Sequence, residues 1–371
     1  MKRVAILGST GSVGRQTLEV IGAHRDKLSV CALSCHRNVG VLLEQAAKFG
    51  AETVICDSPI GACSVQTYEG QGAFERFARE GDYDILVVAV VGIAGLRPTL
   101  AALERGKTVC LANKETLVCG GDLVMRAVKR FGGRLLPIDS EHCAIHQCLK
   151  GNATKDIKRI ILTASGGALR DMPLDRLPFA TKREVLAHPN WDMGDKITVD
   201  CATMVNKGFE AIEAKYLFDV PEENIHILVH RQSVVHSMVQ FTDNTYMAQL
   251  AAPDMRLPIQ YALLYPERVS SLAVEVDFCA TPLTFEQVDM ARYPALSVVS
   301  EAAKAGSAMC VAVNAADEVA VGAFLDGHIA LGRIHTILSR VASGFKGEVR
   351  DVQDVMRIDM EARRLAKEVI C

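Results

Sequence analysis

At 371 residues the chain is long enough for two or three domains. Hydrophobic residues make up 49%, charged residues 23%, and the formal net charge is −3; this is the balance of a soluble globular chain, and with no dense basic patch it argues against nucleic acid as a partner. No apolar run reaches the roughly 18 residues of a membrane helix, the apolar stretch 4–7 is too short for a signal peptide, and cysteines scattered without a CxxC pair point to reduced thiols in a cytoplasm.

From residue 1 to about 110, short apolar strands alternate with amphipathic helices: "RVAILG", "GRQTLEVIGAHR", "LSVCALSC", "VGVLLEQAAKFG", "ETVICD", "QGAFERFAREG", "DILVVAVVG", "LRPTLAALERG" and "KTVCLAN". Continuous apolar strands separated by helices predict a parallel sheet covered on both faces, with right-handed crossovers: a doubly wound, Rossmann-like domain. After about 150 the pattern becomes that of a central α+β domain. "IKRIILTASGG" and "NIHILVHRQSVVHSMVQFTDNTYMAQLAAPD" predict longer strands, with a hairpin around Asp243-Asn244. "DCATMVNKGFEAIEAKYLF" between them predicts one helix. Residues 266–292 lack clean periodicity and are expected to link to a helical bundle at 293–371, with helices in "ALSVVSEAAKAG", "NAADEVAVGAFLDG", "LGRIHTILSRVASG" and "MRIDMEARRLAKEV".

Gly8, Gly11 and Gly14 in "GSTGSVG" lie where the first strand turns into the first helix. Glycines there let a pyrophosphate approach the helix N-terminus. The GxxGxxG spacing is weak by itself, and its place between strand and helix strengthens it. The second strand ends in "SCHRN", with His36, Arg37 and Asn38 and no acid. A carboxylate there would repel a 2′-phosphate and a guanidinium can clamp it, so NADP is expected over NAD.

"PIDSEHCAIHQ" (137–147) poses a metal question. Imidazoles of His142 and His146 would favour zinc; the carboxylates of Asp139 and Glu141 would favour a hard ion. Two acids at i and i+2 of an extended backbone point the same way, which is unfavourable unless a cation or proton intervenes, although solvated loop acids share the spacing. Asn206, Lys207 and Glu210 in "VNKGFEAIEAK" fall on one helix face, suited to a metal beside an anion or to solvent alone. The amides and serine of "TASGG" (163–167) could cradle a phosphate. "HPNWDMG" (188–194) holds the single tryptophan, Trp191, in a loop that suits a lid or a core plug.

Together "GSTGSVG", "LANKETLV", "PIDSEH", "TASGG", "HPNWDMG", "VDCATMVNKGFEAIEA", "QSVVHSMV", "APDMRLPI", "RYPAL" and "NAADE" closely resemble the 1-deoxy-D-xylulose 5-phosphate reductoisomerase family along the whole chain. The resemblance implies rearrangement of a ketose phosphate and reduction by NADPH to 2-C-methyl-D-erythritol 4-phosphate, an early step toward isoprenoid precursors. It implies a divalent cation, magnesium or manganese (cobalt also serves), on Asp139, Glu141 and Glu210. Ser140 would contact substrate oxygen, and Lys114 would point its ammonium at the substrate oxygens near the metal. Ser165, Asn206, Lys207 and His188 would hold the phosphate, with Trp191 and Met193 closing over the substrate. Thr10, Gly11, Ser12, Val13, Arg37 and Asn38 would contact the cofactor, with Asn113, Lys114, Glu115 and Gly194, and with Pro253 and Met255 near the nicotinamide. A homodimer in the cytoplasm is implied, with no membrane or nucleic-acid partner. The expected division is an NADPH-binding domain at 1–150, a catalytic and dimerisation domain with a mobile lid at 151–265, a linker at 266–292 and a helical domain at 293–371.

Three departures stand out. Cys201 replaces the serine expected at the phosphate, and a thiol is a weak donor. Arg231 replaces a proline, and His36 replaces a small residue beside the cofactor's phosphate. Two other functions compete. A semialdehyde or homoserine-type dehydrogenase would share the glycine loop but calls for no three dispersed carboxylates. A non-catalytic NADP sensor would need no metal site.

Overall fold

The computed structural model describes residues 1–191 and 193–370, and these divide into two compact units. The first comprises 1–116, 122–143 and 254–274; the second comprises 117–121, 144–253 and 275–371.

Seven parallel strands form the sheet of the first unit: β1 (Lys2–Leu7), β2 (Leu28–Cys35), β3 (Thr53–Cys56), β4 (Gln66–Glu69), β5 (Ile85–Val88), β6 (Thr108–Leu111) and β7 (Arg134–Pro137). Helices α1 (Ser12–Ala23), α2 (Val39–Phe49), α3 (Ala73–Glu80), α4 (Leu96–Glu104) and α5 (Lys114–Phe131) alternate with them, and α6 (Ser140–Cys148) follows β7. The β-branched and leucine runs that predict doubly buried strands are fully buried in β3 and β5. The strand order β4-β3-β2-β1-β5-β6-β7 reverses between β1 and β5. At such a switch point the carboxyl ends of neighbouring strands open a crevice, and the glycine loop leaves β1 there. β4 departs from expectation: "QTYE" is an exposed to half-buried edge strand whose hydrophobic pattern gives no signal.

In the second unit β8 (Ile157–Ala164), β9 (Ile225–Val229), β10 (Val235–Phe241), β11 (Tyr246–Leu250) and β12 (Glu286–Gln287) form a mixed sheet in the order β11-β10-β8-β9-β12. The hairpin joining β10 to β11 turns where predicted. Asn244 takes φ +68°, a conformation Asn tolerates, and Asp243 Oδ1 accepts from the Thr245 amide at 2.9 Å. β12 pairs Glu286 and Gln287 with Val229 and Leu228. Helix α7 (Lys182–Leu186) precedes the Trp191 loop.

The single helix expected around 200–218 is two: α8 (Asp195–Thr203) and α9 (Val205–Phe218). Met204 between them lies in the left-handed region at φ +63°. The break places Asn206 and Lys207 in the first turn of a new helix, where the Lys207 amide donates to Met204 O at 3.1 Å. Gly208 lets α9 pack closely against the C-terminal helices: a Cβ there would sit 2.7 Å from Val299 Cγ1.

Helix α10 (Arg256–Leu264) belongs to the first unit, where Gln260 meets His24 of α1 at 3.0 Å. The C-terminal helices are α11 (Pro294–Ala305), α12 (Ser307–Leu325), α13 (Arg333–Ala342) and α14 (Val352–Ile370). α12 starts a full two turns before the predicted "NAADE". It is apolar and long enough to cross a membrane, but 67% of its apolar window is buried inside the protein, and Asn314 and Asp317 on it are fully buried. That is the profile of a core helix.

Candidate active site

The glycine loop is fixed by close approach. Gly8 has φ +90°, and a Cβ on it would lie 2.5 Å from the Ala89 carbonyl oxygen; a Cβ on Gly14 would lie 2.2 Å from Gly8 O. No larger residue fits either position. Gly11 differs, because its nearest neighbour would be Gly8 O at 3.4 Å. Gly11 is also the N-cap of α1 and supplies no side-chain cap. Protein packing leaves that corner open beside uncapped first-turn amides, which is the cradle a pyrophosphate requires. Ser34 and Gln45 brace the loop from behind, through Gly8 N to Ser34 Oγ at 2.9 Å and Ser9 Oγ to Gln45 Oε1 at 2.8 Å.

At the end of β2, His36, Arg37 and Asn38 are exposed, and Asn38 caps α2 by accepting from Val41 N at 3.4 Å. The fold adds an acid that the local sequence does not reveal. Asp57, just past β3, places Oδ2 3.9 Å from His36 Nδ1. His36 thus stands beside that carboxylate, with Arg37 exposed next to it. Asn113 is an organiser: its Oδ1 accepts from Thr116 N at 3.1 Å, and its amide donates to Val90 O, Gly92 O and Glu115 Oε2 at 3.0, 2.9 and 2.6 Å.

Asp139 lies between β7 and α6, just past the C-terminal end of β7, and Glu141 is in the first turn of α6, so the two acids do not share the extended backbone expected of them. Asp139 is 9% exposed. Its Oδ1 accepts from the amides of Glu141 and His142 at 3.2 and 3.4 Å and meets His142 Nδ1 at 2.9 Å. Its Oδ2 is paired with the Lys114 ammonium. Burial by itself would raise the Asp139 carboxyl; Lys114 and His142 outweigh it and hold the group well below the usual carboxylate range. Ser140 Oγ donates to Glu141 Oε2 at 2.6 Å. The oxygens gathered here belong to carboxylates, the set that suits a hard divalent ion. His142, fully buried, orients Asp139 from behind. Burial, with Lys150 adding, lowers His146 from its ordinary value.

In the second unit, Asn206, Lys207 and Glu210 are all buried on α9. Asn206 Nδ2 donates to Glu210 Oε1 at 2.6 Å, and Lys207 pairs with the same carboxylate. Glu210 is 1% exposed, and Glu213, one turn further, is 3% exposed; only the i, i+3 spacing hinted at the second acid. The "TASGG" loop packs on the end of α8, since a Cβ on Gly167 would lie 2.6 Å from Cys201 O. Cys201 is half-buried at that contact.

Hydrogen bonding fixes the proton inventory at Ser165. His188 Nδ1 faces the amides of Asn190 and Trp191 at 3.2 and 3.0 Å, so it is an acceptor. The ring proton is then on Nε2, which donates to Ser165 Oγ at 3.0 Å. Gly167 N also donates to that oxygen, at 3.1 Å. With both lone pairs engaged, the Ser165 hydroxyl has only its proton to offer, and it is a donor for an anion. The same two amide contacts fold the Trp191 loop onto His188, and Asn190 Nδ2 secures it to Arg231 O and Ser233 Oγ at 2.8 and 2.7 Å. Trp191 lies 6.0 Å from the His236 ring. Gly194, the N-cap of α8, ends the loop.

Burial, reinforced by the Arg170 charge, pushes His188 down to about 4. The unfolded chain takes up this proton near 6.5 and the folded chain resists it. The neutral ring thus contributes stability fully above pH 6.5, and the contribution is lost as pH falls toward 4. Melting temperatures of the parent and of His188→Gln should therefore differ more at pH 7 than at pH 5. A gap that widens at pH 5 would contradict the neutral ring.

Comparison with known proteins agrees with this geometry. Sequence profiles match for 1-deoxy-D-xylulose 5-phosphate reductoisomerase at residues 4–121, for its C-terminal domain at 135–218 and for the DXP reductoisomerase C-terminal domain at 250–365. A protein from Geobacter metallireducens named 1-deoxy-D-xylulose 5-phosphate reductoisomerase is 45% identical over 381 residues, covering 100% of this chain and 99% of its own. Its counterpart from Bacteroides fragilis is 45% identical over 386 residues, covering 100% and 98%. A crystal structure of DOX-P reductoisomerase in complex with NADPH, fosmidomycin and magnesium is 37% identical with a TM-score of 0.95, covering 100% of this chain and 98% of that one. The Zymomonas mobilis enzyme in complex with NADPH is 40% identical with a TM-score of 0.91, covering 100% and 99%.

Proposed function

The chain belongs to the 1-deoxy-D-xylulose 5-phosphate reductoisomerase family, and from that premise we propose which of its residues carry each part of the reaction. The enzyme rearranges 1-deoxy-D-xylulose 5-phosphate and reduces the product with NADPH to 2-C-methyl-D-erythritol 4-phosphate, in isoprenoid precursor biosynthesis, and it uses a divalent cation. Asp139, Glu141 and Glu210 are the metal ligands in this reading, with Ser140 at a substrate oxygen. Ser165, Cys201, Asn206, Lys207 and His188 hold the phosphate, and Trp191 covers the substrate. Thr10, Gly11, Ser12, Val13, His36, Arg37, Asn38, Asn113, Lys114, Glu115 and Gly194 surround NADPH.

The single observation that carries the substrate assignment is in the second unit: the Ser165 hydroxyl is left only with a proton to donate, on a loop packed against the end of α8, and α9, which follows, carries Asn206 and the buried Lys207 in its first turn. Such a set recognises a dianion and has little use for a neutral group. When bound, the cation supplies Lewis-acid stabilisation of negative charge on the substrate's neighbouring oxygens, and NADPH supplies the hydride. Lys114 places an ammonium where that charge develops. The phosphate anchor provides binding energy far from the reacting carbons. Trp191, folded with its loop onto His188, excludes water from the aldehyde before reduction. Cys201 is the weak member: its thiol donates poorly, so Ser165 and Lys207 carry the anchor.

The cytoplasm is the proposed compartment and a homodimer the proposed assembly, without membrane or nucleic-acid partners; the burial of α12 supports the first of those exclusions. NADPH binding is assigned to 1–150, catalysis, dimerisation and the lid to 151–265, a linker to 266–292 and a helical domain to 293–371. The test is NADPH oxidation followed by absorbance. It is expected to require both 1-deoxy-D-xylulose 5-phosphate and added Mg²⁺ or Mn²⁺, and to stop with a chelator. Undiminished turnover in chelator would remove the carboxylates from the metal role.

A further inference from the structure

Lys196 has no part in the assignments above, yet its ammonium touches three helices. It lies in the first turn of α8, directly after the Trp191 loop. Nζ is 2.6 Å from Asp200 Oδ2, one turn along α8, and 2.8 Å from Asp317 Oδ2 on α12. It also stands 5.8 Å over the ring of Phe209 on α9, itself buried. Asp317 is fully buried and Asp200 nearly so. Lys196 is the hydrogen-bonding partner of Asp317 Oδ2, while Asp317 Oδ1 meets no donor. One cation thus separates two buried carboxylates, which would repel each other without it.

The tie holds more than its own helix. α8 begins at Gly194, where the loop ends, and its far end carries Cys201 against Gly167 of the serine loop. Through Met204 it runs straight into Asn206 and Lys207. A rotation of α8 therefore moves the loop, the serine turn and the first turn of α9 together. The other residues of its first turn, Asp195 and Ile197, are exposed and half-buried and give little purchase.

We propose that Lys196 is a positioning residue for the reaction: by bridging Asp200 to Asp317 it fixes α8 on the C-terminal helices, and so sets the phosphate anchor and the end of the Trp191 loop. The inference rests on the phosphate assignment made above. Displacement of an anchor by an ångström or so weakens substrate capture more than it affects a cofactor whose assigned contacts, apart from Gly194, lie off this helix.

The experiment is steady-state kinetics of Lys196→Met with the substrate 1-deoxy-D-xylulose 5-phosphate, alongside titration of Trp191 fluorescence, the chain's one tryptophan. The KM for the sugar phosphate is expected to rise by about tenfold or more, with the KM for NADPH changed less than about twofold. The fluorescence response to substrate should shift to higher concentration in parallel. Lys196→Arg keeps the charge and should recover most of the loss. Should Lys196→Met fail to fold, Lys196→Met with Asp200→Asn and Asp317→Asn removes both carboxylates that lose their cation; it should fold and still show the raised KM, because the tie is gone. A folded variant with unchanged KM and unchanged fluorescence response overturns the proposal, as does an equal loss of NADPH affinity. Lys207→Met separates this from failure of the phosphate assignment. If that assignment holds, Lys207→Met raises the sugar-phosphate KM whatever Lys196→Met does; if both leave it unchanged, the assignment has failed.

Discussion

Glu210→Gln should lower turnover by about a thousandfold while leaving NADPH affinity within about twofold. The substitution preserves volume at a side chain that is 1% exposed, so packing gives little reason for a loss. Its amide oxygen can still accept from Asn206, which stands 2.6 Å from Oε1, but its NH₂ then faces the Lys207 ammonium that pairs with Oε2, so the variant should also melt somewhat lower than the parent. The loss is a full negative charge in a dry site. There a carboxylate binds a divalent ion far better than an amide does, because in low dielectric each unit of charge counts for several times its value in water. Of the residues assigned to the cofactor, all but Gly194 belong to the other unit, among them those of the glycine loop and the end of β2. Mn²⁺ titration of the variant should show weakened binding, and nucleotide fluorescence should not. Parallel loss of NADPH affinity would move Glu210 out of the metal set.

Much of the molecule was legible because the relevant physics is local. Gly8 and Gly14 had to be glycine for reasons of space alone, and a doubly buried strand such as β5 shows itself as an unbroken apolar run. The Asp243-Asn244 turn is likewise a local preference. The break at Met204 was illegible, since no glycine or proline marks it and "DCATMVNKGFEAIEAKYLF" is uniformly helix-compatible. Tertiary packing overrides propensity there, with Gly208 seated against Val299. Nor could Asp57 be paired with His36, or Lys196 with Asp317, because those contacts join residues 21 and 121 positions apart. The tautomer of His188 depended on where two backbone amides point, which residue identity does not encode. Sequence located the chemistry of the site; the fold decided its proton positions and its supports.

Asp139→Asn is expected to be at least as damaging to turnover, about a thousandfold, and to carry a stability cost of the same origin as that of Glu210→Gln. Asn Oδ1 can take over the acceptor role toward the amides of Glu141 and His142 and toward the His142 ring. The trouble is at the other atom. Oδ2 faces the Lys114 ammonium, and an amide NH₂ in its place sets donor against donor in a buried site. Flipping the amide only transfers the conflict to the backbone amides. A cost of roughly 1–3 kcal/mol comes from burying donors that face one another. The variant should thus melt lower than the parent, bind Mn²⁺ weakly and turn over poorly. Adding Lys114→Met removes the opposing donor, so the double variant should regain much of the lost melting temperature without regaining Mn²⁺ affinity. That separation is the discriminating result, because Lys114 has its own part in turnover. If stability and Mn²⁺ affinity returned together, Asp139 would owe its importance to the ion pair with Lys114, and the metal would have to be held elsewhere.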